Sequence, residues 1–235
     1  MAKHLARALF QNAHDCYTKW QVKYHIEDGV TKTDKRKWWK PLLLFFPVVG
    51  LIAGAYILVN VFSPSLQSVP FVDQGETTEQ RLSAKPGTHG DRIFIPQINV
   101  DVAIVTGGDE TVLDKGAWHR KPEQGDPIKG GNFVLSAHRF IMGLTPQQTR
   151  AKSPFYNIDK LQIGDQLFVD YKGERYGYKI AKKESVKPNQ TEIENETENP
   201  QLTLYSCTLG GAADGRDVLI AEPLGKVEKL EAATR

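Results

Sequence analysis

Net charge, cysteine and internal repetition are all scarce in this 235-residue chain. Thirty Lys and Arg stand against 28 Asp and Glu, and a formal net charge of +2 is too small to argue for nucleic acid as a partner. Two cysteines, Cys16 and Cys207, are too few for a disulfide-stapled scaffold. Without an internal repeat, array architectures drop out. The most local absence is that of charge between Leu42 and Phe62, a run of 21 residues with none. The rest is ordinary for a folded chain, at 40% hydrophobic and 25% charged residues.

At about 1.5 Å per residue the uncharged run spans roughly 30 Å, the thickness of a bilayer's hydrocarbon core. It is longer than a signal-peptide core of about 7–15 residues, and it continues into Ser63-Pro64-Ser65 with no small-x-small cleavage pattern. A buried helix of a soluble domain is the competing reading. Trp38 and Trp39 favour the membrane, because amphipathic rings prefer the head-group level. Residues 1–40 carry nine Lys/Arg against four acids, and Lys35, Arg36, Lys37 and Lys40 crowd the start of the run. The positive-inside rule then makes residues 1–40 a cytoplasmic basic tail, 41–62 a single-pass anchor and everything after it extracytoplasmic. On that topology Cys16 and Cys207 lie on opposite sides and cannot pair. Cys207 becomes a lone thiol facing an oxidising exterior, which marks it as a candidate reactive group.

In the tail, Leu5, Leu9, Ala13, Cys16, Trp20 and Tyr24 recur at helical spacing with lysines off the stripe. They read as a basic amphipathic helix on the inner leaflet, with a partner-binding or disordered tail as alternatives. Residues 63–90 are polar and rich in Pro, Ser, Thr and Gly, as expected of a linker. From 91 to 227 the pattern changes to short apolar runs at Arg92–Ile95, Val102–Val105, Asn132–Ala137, Gln166–Tyr171, Arg175–Ala181, Gln201–Cys207 and Asp217–Ala221. Lys172-Gly173 is a hairpin signal, and Glu110–Lys115 and Pro146–Lys152 suggest short helices. Seven or eight strands with little helix make a mainly β domain, a closed or nearly closed barrel. Residues 228–235 form a short charged tail.

Three residues at strand ends can do chemistry together. His138 ends the run Val134-Leu135-Ser136-Ala137, Cys207 ends Leu202–Ser206, and Arg216 opens Asp217–Ile220. Neighbouring strands would bring them to one rim. A thiolate attacks, a histidine serves as general acid, and a guanidinium steadies an oxyanion. Singly, each has a bland reading: a strand-end cysteine as a small buried hydrophobe, a structural histidine, a surface arginine.

Several ordered segments carry a resemblance. Ile95-Pro96-Gln97-Ile98-Asn99-Val100-Asp101 resembles the first barrel strand of the sortases. Thr111–His119 resembles their short helix and Gly-x-x-His segment, and Leu135–Arg139 the catalytic-histidine motif. Ser153–Leu161 with Ile163-Gly164-Asp165 resembles a segment between strands, and Thr203-Leu204-Tyr205-Ser206-Cys207 the Thr-Leu-x-Thr-Cys signature. The resemblance implies a cysteine transpeptidase with Cys207 as nucleophile, His138 as acid and base, and Arg216 as oxyanion and substrate donor. It also implies a substrate-binding role for Ser206, for Thr208 through its backbone N–H, and for His119 near the rim. Ser206 stands where the family usually has threonine. Thr208–Gly215 replaces the common Pro-containing continuation with a flexible Gly/Ala loop.

The implied partners are secreted proteins with a Leu-Pro-x-Thr-Gly-like C-terminal sorting signal, and a cell-wall or pilin amine that receives them. No cofactor or metal is expected. The acidic run Glu192, Glu194, Glu196 and Glu198 reads as solvated charge on a long loop rather than as calcium ligands. Absence of an Asp-Pro-aromatic lid motif and of a second C-terminal span favours a general anchoring member of the class D or E kind. Pilin polymerisation and purely hydrolytic cysteine peptidase activity are the alternatives.

Overall fold

A computed structural model of the protein describes residues 35–65 and 82–227. The stripe of residues 3–24, Cys16, most of the expected linker and the 228–235 tail lie outside the described residues. The chain divides between Ala55 and Tyr56 into two units.

Helix α1 (Lys35–Phe62) has 28 residues. It starts six residues before the expected span, because Lys35–Lys40 contain no helix breaker. Its Phe45–Phe62 stretch is long and apolar enough to cross a membrane. Leu51 is 74% exposed and Leu58 58%, whereas a helix apolar all round ordinarily sits in a core or in lipid.

The second unit is built on nine strands. They are β1 (Arg92–Ile95), β2 (Val100–Val105), β3 (Ala117–His119), β4 (Gly125–Asp126), β5 (Gly130–Ser136), β6 (Gln166–Tyr171), β7 (Glu174–Val186), β8 (Gln201–Thr208) and β9 (Gly211–Lys226). Their order is β3-β2-β1-β6-β7-β9-β8-β5-β4, and β3 also pairs with β5, which closes an eight-stranded ring with β4 as an appendage. Helix α2 (Pro146–Lys152) lies between β5 and β6, opened by Thr145, whose side chain accepts from the Gln148 N–H.

Period-two alternation decides what faces the core. On β8, Leu202 and Leu204 are fully buried among Ile93, Phe133, Leu135 and Leu219. Tyr205 turns the other way, into a small outer cluster with Val134 and Val218. Each buried Leu or Phe contributes about 1.5–3 kcal/mol of transfer free energy. The same parity carries Cys207, two residues beyond Tyr205, to the outer face. Between β6 and β7, Lys172 (φ 50°) and Gly173 (φ 84°) adopt the left-handed pair that a two-residue hairpin requires.

The mainly β barrel and both short helical pieces are as expected, with four differences. β3 and β4 are too short to show periodicity and exist because tertiary pairing makes them. β7 and β9 outrun their apolar stretches: Lys182–Val186 continues β7 past an irregularity at Ile180/Lys182, and Glu222–Lys226 continues β9 alongside Tyr176–Lys179. Ile95–Asp101 is not one strand, because Pro96–Ile98 forms a 3-10 turn and Asn99 takes φ 50°. Finally, Leu82 at the end of the expected linker is buried with Phe94 and Phe168, and Arg175 donates to the carbonyls of Leu82 and Ala84.

Candidate active site

Three adjacent strands build the site. β5 pairs parallel to β8 with Ser136 opposite Tyr205, and β8 pairs antiparallel to β9 with Cys207 opposite Arg216. Paired Cα atoms across such a ladder lie about 4.5–5.5 Å apart. His138 is two residues past the end of β5 and lines the same groove as Cys207. The Ser206 hydroxyl donates to the Ala137 carbonyl at 2.9 Å. This bond ties together the residues that immediately precede Cys207 and His138. Ser206 is 2% exposed and sits in the groove lining beside Cys207.

His138, Cys207, Thr208 and Arg216 line one groove of about 500 Å³, together with Arg120, Arg139 and Tyr205. That size is ordinary for a ligand site. Cys207 is a free, partly exposed thiol. His138 places Nε2 3.5 Å from Asp114 Oδ1, a partner not singled out from sequence. Arg216 donates through Nη1 to the carbonyls of Ala212 at 2.8 Å and Gly215 at 2.9 Å.

The expected flexible loop after Cys207 is instead the tip of the β8–β9 hairpin. Thr208 pairs with Gly211, and the Thr208 hydroxyl donates to the Asp214 carboxylate. These bonds close the Gly/Ala segment on itself.

Beneath the groove, Arg139 is 4% exposed. It reaches Asp217 at 3.1 Å through Nη1 and Asp159 at 2.7 Å through Nη2. Since Arg139 follows His138 and Asp217 follows Arg216, the ion pair braces the strands that carry both. Asp217 is held further by the Ser185 hydroxyl at 2.8 Å.

His119 does not reach the groove. It is 1% exposed, its ring stands edge-on to Phe133 at 4.7 Å, and Nε2 lies 2.9 Å from the Gly125 carbonyl. Ala117 and His119 share the inward parity of β3, which leaves Trp118 and Arg120 facing out. Burial lowers the His119 pKa, against the opposing Gly125 hydrogen bond and the charges of Asp126 and Glu123. A neutral ring facing a carbonyl must carry its proton on Nε2. With the folded pKa depressed, the unfolded chain binds the extra proton. Stability is therefore full above the unfolded value of about 6.5 and falls as pH drops below it. Urea denaturation across pH 5–8 should show this loss, and His119→Gln should flatten it.

The acidic run is not uniformly solvated. Thr191–Glu194 forms a 3-10 turn, and Glu194, 9% exposed, accepts from Arg120 at 2.9 Å and from the Tyr205 hydroxyl. Burial and Glu194 push the Tyr205 phenol up, so it stays protonated and donates. Among the described residues no cluster of three or more His, Cys, Asp or Glu is placed to hold a metal ion.

The sortase-domain family model matches residues 93–224. Sortase A of Streptococcus agalactiae serotype III is 32% identical over 139 residues, which cover 56% of this chain and 53% of that protein. Sortase D of Bacillus subtilis is 30% identical over 135 residues, covering 56% of this chain and 62% of that one. The chain thus spans between half and two thirds of these relatives' length. Among solved structures, Listeria monocytogenes sortase A superposes with a TM-score of 0.50 at 20% identity, covering 59% of this chain and 90% of that one. Streptococcus pneumoniae sortase C gives 0.50 at 22% identity, with 68% and 80% covered. At such identity the structural likeness is one of fold, but the family model covers more than half of the sequence, from β1 to near the end of β9. This chain belongs to the sortase family.

Proposed function

We propose that the protein is a membrane-anchored cysteine transpeptidase with Cys207, His138 and Arg216 as its catalytic residues. The observation that carries this reading is that all three line one groove, on or just beyond three neighbouring strands. The Cys207 thiolate attacks the carbonyl carbon of the threonine in a Leu-Pro-x-Thr-Gly-like signal. The oxyanion that forms is met by the Arg216 guanidinium and the Thr208 backbone N–H. The carbon–nitrogen bond breaks, and the leaving glycine amine takes a proton from His138. The resulting thioester is attacked by an incoming amine, which gives its proton to His138 while the thiolate departs. The product joins the signal-bearing protein to a cell-wall precursor or a comparable amine.

Helix α1 supports membrane attachment, and the basic cluster at its N-terminal end supports a cytoplasmic N-terminus with the barrel outside. The test supplies a fluorogenic sorting-signal peptide with and without an oligoglycine or diamine acceptor. Acceptor-dependent ligation is expected. Release of free acid alone, unchanged by acceptor, would leave only a hydrolase.

A further inference from the structure

The groove holds an arginine that the chemistry above does not use. Arg120 follows β3 and lines the groove with Glu110 and Tyr205. Its guanidinium lies 4.1 Å from the centre of the Trp118 ring, and its Nε donates to Glu194 at 2.9 Å. The turn that carries Glu194 is pinned from the other side, because Asn132 Nδ2 donates to the carbonyls of Ile193 at 3.0 Å and Asn195 at 2.8 Å. A stacked and tethered guanidinium has lost most of its rotamer freedom before any ligand arrives.

The manner of pairing is informative. Arg175, a structural arginine, grips Asp170 with both Nε and Nη2, at 2.6 and 2.9 Å, the stronger two-pronged arrangement. Arg120 uses Nε alone. Its side chain is 27% exposed, and among the described residues neither of its Nη groups has a hydrogen-bond partner. Two oriented donors therefore remain on the groove wall.

We propose that Arg120 is a substrate-contacting residue whose Nη groups receive a main-chain carbonyl of the peptide in the groove. Glu194 already neutralises the guanidinium, and Glu110 shares the groove lining, so the site favours a neutral carbonyl over an acidic side chain. The inference rests on the peptide acyl-transfer reading above.

The test compares Arg120→Ala, Arg120→Gln and Asn132→Ala with the parent full-length protein in detergent, using a Leu-Pro-x-Thr-Gly peptide and an oligoglycine acceptor. Hydrogen exchange of residues 191–195 is followed in parallel. Both Arg120 variants should raise KM about tenfold or more, the loss of a hydrogen bond to a charged donor, with kcat little changed. Asn132→Ala should speed exchange in the turn and raise KM by clearly less than either Arg120 variant, since it loosens the tether but keeps both Nη groups. An unchanged KM in the Arg120 variants overturns the proposal. So does an Asn132→Ala variant whose KM rises as much as theirs, because Arg120 would then act only as scaffold. Arg120→Gln covers the case in which the alanine variant does not fold. If the parent itself forms no adduct on Cys207, both this inference and the reading beneath it fall.

Discussion

Cys207→Ala is expected to abolish both peptide cleavage and ligation, and Arg216→Ala to lower kcat by about 10²–10³. The alanine at 207 leaves no atom to carry the acyl group, so residual turnover should match the uncatalysed background. Arg216 lies directly across the β8–β9 ladder from Cys207. Its Nη1 is anchored on the Ala212 and Gly215 carbonyls, which aims the remaining donors without reorganisation during the reaction. Arg216→Lys should recover little, because an ammonium lacks the planar fork that holds two carbonyls and still presents a donor. Steady-state kinetics with the fluorogenic peptide checks all three variants. An Arg216→Lys enzyme within a few-fold of the parent would show that charge alone is needed.

Arg139→Met should destabilise the barrel by about 3 kcal/mol, read from urea denaturation. The methionine fills much of the stem's volume but leaves Asp217 and Asp159 without the cation between them. Asp217 is mostly buried, so its carboxylate cannot simply be resolvated, while the more exposed Asp159 limits the loss. Activity should fall further than the unfolded fraction accounts for, because the brace ties the residue after His138 to the residue after Arg216. A stability change under 0.5 kcal/mol would place Arg139 among ordinary surface ion pairs.

The barrel was legible where runs such as Leu202–Cys207 alternate over a full strand, and where Lys172-Gly173 could only be a turn. β3 and β4 were not, because three and two residues hold no period. That gap explains why the burial of His119 was not legible. Once β3 is seen as a strand, Ala117 and His119 fall on its inner face and Arg120 on its outer one. Cys207, His138 and Arg216 were picked out as candidates because each sits at the end of an apolar run. The braces around them were not, since Arg139–Asp217 joins residues 78 apart and Arg120–Glu194 residues 74 apart. Only the closed ring brings such pairs together. Glu194 looked like one of four solvated acids because nothing local distinguishes it. Its burial comes from the Asn132 bonds that fold the turn onto the groove.

The central claim is that Cys207 becomes covalently acylated by a sorting-signal peptide and is released by an amine. Intact-mass spectrometry of the protein mixed with a Leu-Pro-x-Thr-Gly peptide, without acceptor, tests it most directly. The expected result is an adduct equal to the peptide less its glycine leaving group, mapped to Cys207, absent from Cys207→Ala and discharged by added oligoglycine to yield the ligated product. Peptide cleavage that proceeds without any such adduct, or that persists in Cys207→Ala, would contradict the account.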